Sequence, residues 1–119
     1  FGGSTALELG RSGAPLAAIA TFHAGLECPK PEDRANIKAK VLVCTGADDP
    51  MIPPSQVAAF EEQMRKTKVD WQVQMYGGTV HSFTNPDADK LGNPALAFNP
   101  VADKRSWKAM QDLFADAFG

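Results

Sequence analysis

Val41-Leu42-Val43-Cys44-Thr45-Gly46-Ala47-Asp48-Asp49-Pro50-Met51-Ile52-Pro53 is an apolar run that ends abruptly at a glycine and two carboxylates. Residues 41–45 show no polar alternation, which is the pattern of a parallel strand buried on both faces. The two acids then stand at its C-terminal end. Open α/β sheets bind ligands in the crevice outside those strand ends, so an acid there is placed for chemistry. Asp48 and Asp49 ahead of Pro50 also fit ordinary turn chemistry. His81 weights the reading toward function. Between it and the acids lie a helix pattern and one further strand, a βαβ unit of roughly 30 residues that brings two strand tips side by side.

Working outward, residues 16–22 form a second apolar run, read as a buried strand that ends at His23-Ala24-Gly25. Residues 1–13 read as a turn and a short helix, with Ala6, Leu7 and Leu9 apolar and Gly10 and Gly13 as stop signals. Residues 27–40 are polar and proline-containing, a connection with a helical turn near residues 32–36. Residues 55–66 predict an amphipathic helix on Val57, Phe60 and Met64, with Glu61–Arg65 and Glu62–Lys66 spaced as i,i+4 pairs. Trp71, Val73 and Met75 alternate with Gln72 and Gln74, a strand with one wetter face near a sheet edge. Gly77-Gly78 releases the chain into a loop carrying His81, and residues 87–98 continue as a long loop expected to lie over the site. Asp87, Asp89 and Gly92 imitate the start of a calcium loop, but Leu91 and Phe98 fall where ligands are required, so no metal is expected. Asn99 as cap and Pro100 in the first turn open a last helix, with Trp107, Met110, Leu113 or Phe114, and Ala117 or Phe118 on its apolar face.

The fold class is therefore α/β with parallel strands and flanking helices. At 119 residues, 44% hydrophobic and a net charge of −2, the composition is that of one ordinary domain and argues against a nucleic-acid or membrane-surface partner. Two cysteines are too few for a disulfide scaffold, and Cys44 inside the strand reads as a small apolar side chain. A cytoplasmic location is the expectation. The opening Phe1-Gly2-Gly3 has no leading strand, and the expectation is that an N-terminal part of a larger domain precedes it.

A nucleophilic hydrolase needs a nucleophile, a histidine to take its proton, an acid to hold the histidine, and backbone donors for the oxyanion. This chain offers the acid and the histidine. In α/β-hydrolases the chain order is nucleophile, acid, histidine, and the nucleophile sits on a strand-to-helix elbow followed by x-Gly. Phe1-Gly2-Gly3 before a helix fits the downstream half of such an elbow.

Phe1-Gly2-Gly3, Phe22-His23-Ala24-Gly25-Leu26, Gly46-Ala47-Asp48-Asp49-Pro50 with Ile52-Pro53, and Tyr76-Gly77-Gly78 through His81-Ser82-Phe83 together resemble the C-terminal half of a dienelactone hydrolase family protein. Phe98-Asn99-Pro100-Val101-Ala102-Asp103 and Ser106-Trp107 continue the likeness, which covers nearly the whole chain. The resemblance implies that residues 1–119 are the C-terminal portion of a single α/β-hydrolase domain. It makes Asp49 the triad acid, with Asp48 as the alternative, His81 the general base and the Phe1 backbone N–H an oxyanion donor. The nucleophile, Cys or Ser, would immediately precede Phe1, so the intact protein is expected to hydrolyse esters or lactones through an acyl-enzyme, and the fragment alone to be inactive. No cofactor is implied. His23 has no triad position and is read as a structural strand-tip residue.

The expected substrate is a small, largely apolar ester or lactone, with Phe83 and the segment to Phe98 lining the pocket. Expected partners are that substrate and either a missing N-terminal half or a second copy of the chain, because the strand at 16–22 would be left with an unpaired edge. The rival is a non-catalytic α/β module that binds a ligand or partner, which predicts that Asp49 and His81 do not touch. A dinucleotide-binding reading fails for want of a Gly-x-Gly-x-x-Gly after a strand.

Overall fold

The computed structural model describes residues 1–119, Pro31 by its backbone alone. In chain order the elements are α1 (Gly2–Arg11), β1 (Ala18–Phe22), a 3-10 turn (Pro31–Asn36), β2 (Lys40–Gly46), α2 (Pro54–Arg65), β3 (Trp71–Tyr76), a 3-10 turn (Ala88–Leu91) and α3 (Pro100–Phe118). Among the described residues the sheet has three parallel strands in the order β1-β2-β3, with Ile19 opposite Val41 and Val41 opposite Trp71.

The unbroken apolar run of β2 follows from its central place. Val41 and Val43 pack into one core with Leu7 of α1 and Val57, Phe60 and Met64 of α2. Leu42 and Cys44, pointing the other way, pack with Phe83 and with Ala102 and Leu113 of α3. Helices therefore cover both faces, and a polar residue anywhere in this strand would lose its hydration on either side. Because the strands are parallel, the acid turn after β2 and the histidine loop after β3 leave the sheet at the same edge.

Several expectations shift. β1 begins at Ala18 rather than at residue 16, because the Leu16 N–H turns back to Ala14 O at 2.8 Å. Gly10 is not a stop signal. It is buried within α1, where an added Cβ would come 2.6 Å from Ile19 Cδ1, so it sets the helix close against β1, while Leu9 is exposed. Gly13, at φ +87°, makes the actual turn. Arg65 pairs with Glu62 at 3.0 Å, not with Glu61. Met75 is half exposed, since it lies beyond the reach of α2 and is absent from its core. On α3 the buried residues are Ala102, Ser106 and Leu113, and Trp107 is 56% exposed. Small residues let that helix lie close to the sheet, and Trp107, about 100° further round than Ser106, points away.

β1 has one free edge, and Trp107, Phe114 and Phe118 lie exposed along α3. Free strand edges recruit partners, and a small sheet with exposed aromatics gains by covering them. Expressed alone, residues 1–119 should self-associate or require a complementary polypeptide. Sedimentation with intact-mass measurement checks this, and a well-folded monomer at micromolar concentration would refute it.

Candidate active site

The acid turn begins where β2 runs out. Gly46 is the last strand residue, and an added Cβ there would come 2.3 Å from Thr79 O, so only glycine admits the histidine loop at this distance. The two segments are then joined by their backbones: Ala47 N–H donates to Tyr76 O at 2.8 Å and Asp48 N–H to Thr79 O at 3.0 Å. With Asp48 occupied this way, its side chain lies exposed, and the next residue turns inward.

Asp49 is 2% exposed overall and its carboxylate is fully enclosed. Oδ1 accepts the Met51 N–H at 2.8 Å, and Oδ2 lies 2.8 Å from His81 Nδ1. Both oxygens thus have a partner, as a buried carboxylate requires. The structure brings Asp49 and His81 together and leaves Asp48 out. With Nδ1 engaged by the carboxylate, Nε2 is the ring nitrogen left for proton transfer, and the imidazole is 19% exposed.

The long segment after the loop braces this histidine rather than covering it. His81 N–H donates to Ala95 O and Ala97 N–H donates to His81 O, each at 3.1 Å, so His81 forms a parallel bridge with Leu96. The Asp89 carboxylate, part of the calcium imitation in the sequence, accepts the Phe98 N–H at 2.9 Å and holds the strap in place. Asn99 caps α3 through Oδ1 on Ala102 N–H at 3.0 Å while its Nδ2 donates to Thr79 Oγ1 at 3.1 Å, tying the helix start to the loop. The sequence marks Asn99 as a cap only; its second bond depends on Thr79 folding back.

Phe83, expected to line the substrate pocket, is 0% exposed and belongs to the core beneath α3. Its ring meets those of Tyr76 and His23 edge to face, at 5.7 and 5.2 Å between centroids, and the His23 ring meets that of His81 the same way at 5.2 Å. The continuous column makes Phe83 a support for the histidines. Its place just past His81, where the chain dives into the core, accounts for its burial.

His23 joins the tip of β1 to the histidine loop through Nε2 and Thr84 Oγ1, 2.9 Å apart. The sequence reading kept it structural without finding the Thr84 contact. Two residues here adopt left-handed backbone, His23 at φ 44° and Ser82 at φ 60°, a conformation non-glycine residues take seldom and at some cost. Burial first, and the neighbouring His81 second, push the His23 imidazole down from 6.5 to about 4. The opposing pulls come from a bond to its own backbone and from Asp49. His23 is neutral at pH 7.

Phe1 stands at the head of α1, where its carbonyl accepts the Thr5 N–H at 3.0 Å, and its side chain is fully exposed. Cys44, the other polar group near the column, is no nucleophile. Burial raises its thiol from 9.0 to about 11 and encloses it, with a Tyr76 hydroxyl contact of 3.8 Å pulling weakly the other way.

Comparison with known proteins shows the family. The model of the dienelactone hydrolase family matches residues 1–118. The chain belongs to the dienelactone hydrolase family. A solved structure of the dienelactone hydrolase-like promiscuous phosphotriesterase P91, from metagenomic libraries, is 50% identical, with a TM-score of 0.93 over 98% of this chain and 49% of that one. A dienelactone hydrolase candidate from Klebsiella pneumoniae shares the fold at 20% identity and TM-score 0.69, over 84% of this chain and 42% of its own. The Caenorhabditis elegans protein K02A2.1 is 33% identical over 78 residues, 66% of this chain and 49% of that protein. The chain thus spans about half the length of the relatives it matches. Among the described residues of this dienelactone hydrolase family chain, no helix is long and apolar enough to cross a membrane.

Two measurements probe the site's construction. Gly46→Ala should destabilise the fold by about 1–3 kcal/mol, because the clash falls on a backbone carbonyl that cannot swing aside; an unchanged urea midpoint would contradict the close-approach argument. The His23 effect has a definite sign: a histidine whose folded pKa is depressed binds fewer protons folded than unfolded, so stability falls as pH drops from 6.5 toward 4. His23→Gln should flatten that part of the stability profile, measured as urea midpoint against pH, whereas an unaltered slope would show that His23 is not the titrating group.

Proposed function

We propose that Asp49 and His81 are the acid and general base of a nucleophile-His-Asp triad that hydrolyses carboxylic esters or lactones through an acyl-enzyme, the nucleophile coming from outside residues 1–119. The observation that carries this is the Asp49 Oδ2 to His81 Nδ1 contact of 2.8 Å, with the second carboxylate oxygen fixed by the Met51 N–H. A buried acid anchored at one oxygen can hold the imidazole tautomer that presents Nε2 as base, and it stabilises the imidazolium once the nucleophile's proton has arrived. Nε2 then returns that proton to the departing alkoxide, leaving the acyl group on the nucleophile, and activates a water to release the acid.

The oxyanion that forms on the carbonyl carbon would be met by the Phe1 backbone N–H at the start of α1, where the helix dipole favours negative charge. The non-catalytic alternative predicts no contact between Asp49 and His81, and the contact of 2.8 Å counts against it. A second substrate class follows from the 50% identity to a protein described as a promiscuous phosphotriesterase: the same base could activate the nucleophile against phosphorus, with the oxyanion donor serving the phosphoryl oxygen.

In the complete protein, Asp49→Asn should lower kcat for p-nitrophenyl acetate by about 10⁴-fold, as expected when a triad acid no longer selects the tautomer. His81→Ala should be at least as severe, and both should leave the circular dichroism spectrum unchanged. Substantial ester turnover by the well-folded His81→Ala protein would end this reading. Paraoxon assayed alongside tests the phosphotriester class.

A further inference from the structure

We propose that the cleft between α3 and the outer strand β3 is a binding site for a small organic carboxylate with an apolar body. The cleft is about 860 Å³, within the range that small-molecule sites occupy, and its walls include Tyr76, Val101 and Ala109. Lys104, Arg105 and Lys108 edge it. Lys108 is held by Asp112 at 2.5 Å, but among the described residues no carboxylate pairs with Lys104 or Arg105.

Asp112, the carboxylate on the cleft wall, is engaged by Lys108, so Lys104 and Arg105 on consecutive residues of one helix form a surface complementary to an anion. The guanidinium fork suits a carboxylate in particular. Gln74 supplies a neutral donor on the facing strand. Its Oε1 accepts from the Tyr76 hydroxyl at 3.3 Å, which turns that carbonyl inward and leaves the amide N–H groups for a ligand. Burial first, and Cys44 next, push the Tyr76 phenol up, and Arg105 is near enough to oppose them weakly. Because Tyr76, Pro100, Val101 and Ala109 form an apolar part of the wall, an inorganic anion would leave that part of the cavity unused, whereas an aryl or alkyl carboxylate would cover it.

A second cleft of about 200 Å³ shares Tyr76, Val101 and Arg105 and extends to Thr79 and Asn99, the pair that ties the histidine loop to α3. Neither Asp49 nor His81 lines either cleft, so the proposal stands apart from the catalytic one.

The test uses the complete protein and two fluorescent probes of the same apolar body, 1-pyrenebutyrate and 1-pyrenebutanol, titrated by fluorescence anisotropy at low salt. Pyrenebutyrate should bind on the order of ten-fold more tightly than pyrenebutanol. The Lys104→Gln/Arg105→Gln protein should lose that preference while keeping its ester turnover, and His81→Ala should keep the preference. Equal affinity for the two probes, no binding of pyrenebutyrate, or a preference that survives the double substitution would each overturn the proposal. Loss of the preference in His81→Ala would overturn it too, by placing the probe at the hydrolytic site. Failure of the catalytic reading would show instead as retained turnover in Asp49→Asn and His81→Ala, with the probe result unaffected.

Discussion

The close approach of Gly46 to the Thr79 carbonyl is what the site depends on. A strand that ends on any larger residue would hold the histidine loop off by the width of a methyl group. The consequences run outward from there. Asp48 gives its N–H to Thr79, Asp49 is turned beneath the loop, and His81 Nδ1 comes to rest 2.8 Å from the carboxylate. Hydrogen bonds of this length lose most of their directionality with a shift of about 1 Å, so the acid-histidine contact inherits its precision from a contact between backbones. The strap at Ala95 and Ala97 then holds the histidine from its other side.

Much of this was legible in the sequence because it rests on period and punctuation. The unbroken run at Val41 to Thr45 signalled a strand enclosed on both faces, and Val57, Phe60 and Met64 were readable as one helical face; all are buried. The acid turn and histidine loop could be matched because their glycines and prolines have fixed spacing. What could not be read depends on which face of an element meets which neighbour. Trp107 looked like core by size and helical spacing, yet the sheet selected the small residues Ala102 and Ser106 for contact. Phe83 looked like a substrate contact by its nearness to His81 in sequence. Its burial follows from a reversal of the chain at Ser82, whose φ of 60° no composition rule announces in a serine.

His23 shows the same limit at closer range. A lone histidine at a strand tip is most often structural, and this one is; its significance comes from the ring 5.2 Å away. Thr84, too small and too common to draw attention, supplies the bond that holds it. Such pairs link segments 61 residues apart and leave no local pattern in either.

In the proposed mechanism, the charge balance of the cluster calls for one histidine to stay neutral while the other takes up a proton. Two imidazolium rings about 5 Å apart would repel by about 3 kcal/mol at an effective dielectric of 20, and Asp49 carries one negative charge to share between them. Were His23 to ionise at neutral pH, it would compete with His81 for that carboxylate and oppose the imidazolium that the proposed proton transfer would create. Burial removes the conflict by holding His23 near 4, so that it stays neutral through the range in which an ordinary histidine changes charge. Its neutral ring can still bond Thr84 and pack against Phe83. The apolar column beneath the site therefore has an electrostatic function as well as a mechanical one: by desolvating His23, it leaves the single buried carboxylate to His81.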